Sequence, residues 1–158
     1  MAAGPRVGEP APDFQLDGTD GRFRLSEHRG ERVVLLFYPG DETPVCTKQF
    51  CSYAEREDEL AALDATVVGI SAQDVASHRS FQRAHGIPVP LLADADRTVA
   101  EAYGVARRVL GTQRAVFIVD EVGIVQYRHV HALGLDYQRV DELRDALDEV
   151  AGRSGLTA

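Results

Sequence analysis

Apolar residues along this chain form short unbroken runs separated by stripes at helical spacing. Residues 32–38 contain the unbroken run 33–38, which is typical of a strand buried on both faces of a sheet. Residues 66–70 form a second run of this kind, and a short strand is predicted at residues 89–92. The runs therefore predict a sheet whose inner strands are covered on both sides.

Stripes of apolar residues between and after these runs predict helices. One covers residues 46–63, where apolar side chains recur at mostly helical spacing. Another covers residues 74–85 and begins at Asp74, a residue type that caps helix N-termini. A short helix is expected at residues 96–103. The last helix has an apolar stripe formed by Val140, Leu143, Leu147 and Val150.

Turn-forming residues add two pairs of strands to this pattern. Residues 13–17 and 22–25 predict a small, peripheral N-terminal β-hairpin, and residues 115–120 and 123–131 predict a second strand pair. Strands that alternate with helices and close with a hairpin predict an α/β fold with a central mixed β-sheet flanked by helices. Because no repeat or linker interrupts residues 1–158, we predict a single domain.

Composition and charge exclude several classes of partner. The 158 residues are 44% hydrophobic and 27% charged, as expected of a globular domain with a sizeable core. The net charge of -8 repels nucleic acid and anionic membrane surfaces. The first ten residues lack the apolar stretch of a secretory signal, and no segment approaches the roughly 20 apolar residues of a membrane span. We therefore expect a cytoplasmic protein.

The chain contains two cysteines, and cysteines in a reducing compartment are more often reactive or metal-binding than structural bridges. A metal site is disfavoured, because His129 and His131 lie two apart on one predicted strand without a cysteine or carboxylate at ligand spacing. The glycines form no phosphate-loop or dinucleotide fingerprint. We expect neither a metal nor a nucleotide cofactor.

The candidate chemistry lies in residues 38–51, which join a predicted buried strand to a helix. Cys46 falls in the first turn of that helix, where free N–H groups and the positive end of the helix dipole favour a reactive thiolate. The Thr43 hydroxyl is placed to donate to the thiolate or to accept from a substrate, and Pro39 and Pro44 stiffen the loop. The alternative is that Cys46 is an inert buried cysteine.

The position of Cys51, five residues after Cys46, has a geometric consequence. In a regular helix this offset separates Cα atoms by roughly 8 to 9 Å, whereas a disulfide needs a separation below about 7 Å. A Cys46–Cys51 disulfide therefore requires the first helical turns to unwind. The alternative for Cys51 is a small hydrophobic packing residue.

The spacing of Pro39, Thr43 and Cys46 resembles the active-site signature of peroxiredoxins. The Cys46/Cys51 spacing resembles that of the bacterioferritin comigratory protein, or peroxiredoxin Q, subfamily. Similar segments occur at residues 8–14, 93–104 and 111–120. The resemblance implies a thioredoxin-like fold without metal or organic cofactor, Cys46 as peroxidatic cysteine and Cys51 as resolving cysteine.

The resemblance also makes Thr43 and Arg114 active-site partners and places Pro39 beside the substrate. A guanidinium beside Cys46 would favour the thiolate and stabilise the leaving hydroxide or alkoxide. The alternative for Arg114 is a solvated charge at the start of a strand.

The chain departs from the subfamily pattern at two positions. Val45 stands where glycine is usual, which restricts the backbone conformations open to the loop. Gln49 stands where glutamate is usual, so the arginine network loses a negative partner but keeps a hydrogen-bond acceptor. We expect these changes to affect the rate rather than the mechanism.

The function predicted from these features is reduction of hydrogen peroxide and organic hydroperoxides, with recycling by thioredoxin or a low-molecular-weight thiol, in antioxidant defence. An intrachain disulfide needs no partner subunit, so a monomer is expected. Two alternatives are a thiol–disulfide oxidoreductase, which normally uses a C-x-x-C pair absent here, and a non-catalytic binding or holdase protein. The preferred hydroperoxide stays open.

Overall fold

Strands and helices alternate along the chain in the computed structural model, which describes residues 4–41, 43–107, 111–131 and 137–156. The strands are β1 (Gln15–Gly18), β2 (Gly21–Arg24), β3 (Val33–Phe37), β4 (Thr66–Ser71), β5 (Leu91–Ala93), β6 (Ala106–Arg107), β7 (Gly111–Thr112), β8 (Ala115–Val119) and β9 (Val125–Val130). The helices are α1 (Pro44–Glu55), α2 (Glu57–Ala61), α3 (Val75–His85), α4 (Thr98–Ala102) and α5 (Val140–Leu156), with a 3-10 helix at Leu25–His28.

A mixed sheet forms the centre of this part of the chain. Its seven strands follow the order β2-β1-β5-β4-β3-β8-β9. Strand β3 pairs in parallel with β4 and antiparallel with β8, and β4 pairs in parallel with β5. The strands at the two ends of the sheet pair antiparallel with their neighbours. The prediction of a central mixed sheet is confirmed.

The unbroken apolar run of β3 is explained by burial on both faces. Val34 and Leu36 pack in a core with helices α1, α2, α3 and α5. Val33, Leu35 and Phe37 pack in a second core with α4 and the 3-10 helix. Because successive side chains of a strand point to opposite faces, a strand between two cores has to be apolar at every position.

The predicted N-terminal hairpin is confirmed, and it joins the central sheet. Gly18 of β1 pairs with Leu92 of β5. The approach is close: a Cβ on Gly18 would lie 2.5 Å from the Leu92 side chain and 3.0 Å from the Leu91 carbonyl oxygen. The absence of a side chain at Gly18 therefore allows the hairpin to dock onto the sheet edge.

The prediction of one helix over residues 46–63 is wrong. Helix α1 ends at Glu55, and Arg56, with φ -118° and ψ 37°, separates it from α2. The acidic residues Glu57, Asp58 and Glu59 then lie in the first turn of α2. Negative charge stabilises a helix N-terminus and destabilises a C-terminus, so this acidic run favours a new start over a continuation.

Two shorter elements also differ from the prediction. The strand expected at residues 89–92 is β5, which begins after Pro90, a residue without an N–H for the ladder. The small antiparallel pair of β6 and β7 was not predicted, since two-residue strands carry no periodic signal. The remaining predicted helices and strands are present with ends shifted by a few residues.

Candidate active site

The loop after β3 leads directly into α1. Tyr38 is buried at the end of the strand, Thr43 occupies the N-cap position and Pro44 is the first helical residue. Proline suits this position because its fixed φ matches the helix and its missing N–H would have no helical partner. In the described part of the loop, which does not include Glu42, Thr43 and Pro44 therefore set where α1 begins.

Cys46 is the third residue of α1, and its side chain is 0% exposed. The first N–H groups of a helix have no partner within the helix, so Val45 and Cys46 present free donors there. Thr43 makes no side-chain cap hydrogen bond at this end, and the first turn of α1 contains no acidic residue. The start of α1 therefore leaves its donors available to the sulfur or to a ligand.

Strand pairing brings Arg114 to Cys46 from a distant part of the chain. Phe37, the last residue of β3, pairs with Ala115, the first residue of β8, so Arg114 lies at the strand end from which the loop departs. Arg114 Nη2 donates to Cys46 Sγ over 3.0 Å. The solvated-charge alternative for Arg114 is excluded, because this residue is 2% exposed.

Gln49 and Tyr53 continue the hydrogen bonds that start at Arg114. Arg114 Nη1 donates to Gln49 Oε1, and Gln49 Nε2 donates to the Tyr53 hydroxyl over 3.0 Å. Tyr53 in turn donates to the backbone carbonyl of Gln138, just before α5. Burial raises the pKa of Tyr53, so its hydroxyl keeps the proton for this bond. The chain of contacts fixes the arginine and α1 relative to α5.

Among the described residues no carboxylate forms an ion pair with Arg114. Gln49 offers the guanidinium a neutral amide oxygen instead. A buried charge is costly unless it is paired. A thiolate at Cys46 would place a negative charge 3.0 Å from the Arg114 guanidinium.

Thr43 and Pro39 lie in the loop beside this pair. The Thr43 hydroxyl donates to the Gly40 carbonyl oxygen over 3.0 Å. Its single proton is thereby engaged, which leaves the hydroxyl oxygen as an acceptor and rules out donation to the thiolate in this arrangement. Pro39 is half-buried at the start of the loop.

Cys51 lies on the same helix as Cys46, and the two thiols are free. Helix α1 is continuous between them, which agrees with the prediction that the intact helix keeps the pair apart. Cys51 is partly exposed whereas Cys46 is buried.

A second buried cluster at the loop was missed by the sequence analysis. The Asp41 carboxylate accepts from Tyr38 Oη over 2.7 Å and from Ser77 Oγ over 2.8 Å, and it contacts His78 Nδ1 at 2.7 Å. His78 is 0% exposed, and the Asp41 side chain 2%. The residues come from separate elements, so no spacing in the sequence signals this cluster.

Within the described residues no group of three or more histidine, cysteine, aspartate or glutamate side chains is arranged to hold a metal ion. None of their helices is long and apolar enough to cross a bilayer.

The AhpC/TSA family profile matches residues 7–128. The chain belongs to the AhpC/TSA family. Curated relatives in this family carry peroxiredoxin names. Peroxiredoxin Bcp of Bacillus subtilis is 32% identical over 149 residues, covering 88% of this chain and 95% of that protein. A putative peroxiredoxin bcp of Coxiella burnetii is 37% identical over 127 residues, covering 75% of this chain and 84% of that protein.

The match to plant relatives in the family is partial. Chloroplastic peroxiredoxin Q of Oryza sativa subsp. japonica is 41% identical over 123 residues, covering 76% of this chain and 57% of that protein. The chain thus spans little more than half the length of this relative. The predicted resemblance to peroxiredoxin Q and the bacterioferritin comigratory protein is confirmed.

Solved structures of family members share the fold. Peroxidoxin BcpB from Mycobacterium tuberculosis superposes with a TM-score of 0.78 at 32% identity, covering 94% of this chain and 97% of that chain. The reduced 2-Cys peroxiredoxin of Plasmodium vivax superposes with a TM-score of 0.85 at 26% identity, covering 94% and 83%. The prediction of a thioredoxin-like fold is confirmed.

Proposed function

We propose that this AhpC/TSA family member is a thiol peroxidase in which Cys46 reduces hydroperoxides and Cys51 resolves the product. The observation that carries the proposal is the 3.0 Å contact between Arg114 Nη2 and Cys46 Sγ, made by a buried arginine without a carboxylate partner among the described residues. The thiolate is the nucleophilic form of cysteine, and this contact stabilises it.

In the first step the Cys46 thiolate attacks the terminal oxygen of a hydroperoxide. The S–O bond forms as the O–O bond breaks, so the sulfur is oxidised to a sulfenic acid and the peroxide is reduced to water or an alcohol after protonation. Free N–H groups of Val45 and Cys46 and the guanidinium of Arg114 stabilise the departing oxygen anion. The Thr43 hydroxyl oxygen accepts from the peroxide, and Pro39 shields the site from one side.

In the second step the Cys51 thiol attacks the Cys46 sulfenic acid, and water leaves as the disulfide forms. Because the offset in an intact helix exceeds disulfide reach, the first turns of α1 have to unwind beforehand. An external dithiol then reduces the disulfide by exchange. The proposed reductant is thioredoxin or a low-molecular-weight thiol.

The wider assignments are part of the same proposal. Residues 1–158 act as a single domain and a monomer, since the cycle needs no residue from a second subunit. We place the protein in the cytoplasm and its role in antioxidant defence, with neither nucleic acid nor membrane as a partner. The chemistry uses thiols alone, without metal or organic cofactor.

The test is intact-protein mass spectrometry before and after one equivalent of hydrogen peroxide, with Cys46→Ser and Cys51→Ser variants alongside. The expected wild-type product is lighter by two hydrogens, and neither variant forms it. Gain of oxygen by the wild type would show that Cys51 does not resolve. Unchanged mass would remove the peroxidase assignment itself.

A further inference from the structure

His78 of α3 is held through both of its ring nitrogens. Its Nε2 lies 3.0 Å from the Leu92 carbonyl oxygen, which has no hydrogen to donate, so Nε2 is the donor of this bond. Its Nδ1 lies 2.7 Å from Asp41 Oδ2. His78 thus joins the Asp41 carboxyl to the backbone of β5.

The surroundings of Asp41 favour its carboxylate. Burial alone would raise the pKa of this carboxyl, but hydrogen bonds from His78, Tyr38 and Ser77 and the charge of His78 outweigh burial and lower the pKa. Tyr38 remains a donor, because burial and the nearby Asp41 raise its pKa well above the usual value. Asp41 is therefore held by Tyr38, Ser77 and His78 together.

The place of this contact in the fold indicates a role beyond α3. His78 is the fourth residue of that helix, whereas Asp41 belongs to the loop before α1. The side chains of both residues are almost fully buried. Removing one partner of a buried polar contact leaves the other unsatisfied and is destabilising. The contact thus fixes one segment relative to the other.

The segment held in this way controls Thr43. Asp41 is bonded through its backbone as well, since its N–H donates to Gln73 Oε1 over 3.2 Å. The residue before it, Gly40, provides the carbonyl that accepts from the Thr43 hydroxyl. A shift of Asp41 therefore moves the acceptor that orients Thr43 beside Cys46.

We propose that His78 is a positioning residue for the reaction of Cys46: its ring, held by the Leu92 carbonyl, fixes Asp41 and through it the hydroxyl of Thr43. The proposal rests on the peroxidase function given above. His78 acts through Asp41 rather than on the peroxide.

The experiment compares two reactions of Cys46 in a Cys51→Ser background, with His78→Gln and Asp41→Asn as variants. Peroxide reduction needs an oriented Thr43, whereas alkylation by iodoacetamide needs only the thiolate. We expect the second-order rate constant with hydrogen peroxide to fall about 10- to 100-fold, as for other small displacements of a positioned group. The alkylation rate should change little, and His85→Gln on the same helix should keep both rates.

A merely structural role predicts a different pattern, in which both rates change together as Cys46 becomes more accessible. That result, or a wild-type peroxide rate in His78→Gln, would overturn the proposal. If Cys46→Ser still reduced peroxide, the proposed function itself would fail, which separates the two conclusions.

A second measurement uses the wild-type protein and so does not depend on the folding of a variant. Nitrogen-15 NMR of the histidine rings should show a proton on Nε2 of His78, as its bond to the Leu92 carbonyl requires. An unprotonated Nε2 would overturn the anchoring of His78 and with it the proposal.

Discussion

The N-termini of α1 and α3 differ in how their free donors are used. At α3, the Asp74 side chain accepts from the Ser77 N–H over 2.8 Å, and the helix ends at Gly86 in the left-handed conformation. At α1, Thr43 occupies the cap position but turns its proton to Gly40 and caps nothing. A side-chain cap stabilises a helix by about 1 kcal/mol, so α1 forgoes this stabilisation and keeps its donors free.

A buried nitrogen-bearing side chain lies beside each of these helix starts, and the two have different partners. His78 at α3 has the Asp41 carboxyl at 2.7 Å. Arg114 at α1 has the neutral Gln49 and the sulfur of Cys46. The comparison teaches that the contact at α3 is completed by a fixed carboxyl group, whereas at the candidate active site a cysteine sulfur faces the arginine.

Removal of the α1 cation should have the largest effect. In Arg114→Ala the thiolate and the departing oxygen lose their positive partner, and we expect the rate constant with hydrogen peroxide to fall about 100- to 1000-fold, as when a transition-state donor is lost. Stopped-flow kinetics would measure it. Arg114→Lys keeps the positive charge but not the planar guanidinium, so its rate constant should be intermediate. A wild-type rate constant in Arg114→Ala would remove the assignment.

Loss of the Thr43 hydroxyl should have a smaller effect. Thr43→Val keeps the shape of the side chain but removes the acceptor for the peroxide and the bond to Gly40. We expect the same rate constant to fall about 10- to 100-fold, which is the effect expected when one positioned polar group is lost. Thr43→Ser restores the hydroxyl and should stay near the wild type. Equal rates in the valine and serine variants would exclude a role for the hydroxyl.

Truncation of Gln49 should act on stability. Gln49→Ala leaves Arg114 Nη1 without its acceptor in a buried position, and an unsatisfied buried donor costs about 1 to 3 kcal/mol. Urea denaturation of the reduced protein should show this loss in the free energy of unfolding. Gln126→Ala removes a glutamine of β9 that donates to Asp120 and serves as the control. An undiminished free energy of unfolding in Gln49→Ala would contradict the bridging role.

Removal of the α3 cap should have the smallest effect. It tests whether the starts of α1 and α3 act independently. Asp74→Ala removes the acceptor for Ser77 N–H, so the free energy of unfolding should fall by about 1 kcal/mol. Peroxide reduction should remain close to wild type, because the Asp74 carboxylate accepts from the Ser77 N–H rather than from Thr43, Cys46 or Arg114. Asp74→Asn keeps an acceptor and should recover most of the stability. A large loss of rate in Asp74→Ala would mean that the helix starts are not independent.

The parts of the fold that the sequence predicts are those with local signals. The apolar run of β3 predicts a buried strand, and Asp74 predicts a helix start, each from a few neighbouring positions. Both predictions are confirmed. The break at Arg56 was missed, because it depends on the dipoles of two helices rather than on glycine or proline. Apolar periodicity alone does not contain that information.

The candidate site divides in the same way. The location of Cys46 in the first turn of α1 follows from the local sequence. The Arg114 contact was expected from the family resemblance, and its geometry comes from the pairing of β3 with β8. The Asp41–His78 pair joins residues 37 positions apart without a motif, so only the tertiary structure reveals it.

The continuity of α1 between Cys46 and Cys51 has a consequence for the reduction potential of their proposed disulfide. Contacts that require the intact helix, such as those of Gln49 with Arg114 and Tyr53, exist in the dithiol form and are lost when the helix unwinds. By linkage they make the disulfide easier to reduce, by about 30 mV for each 1.4 kcal/mol of helix stabilisation. The packing of α1 therefore tunes how readily a cellular reductant returns the protein to its active form.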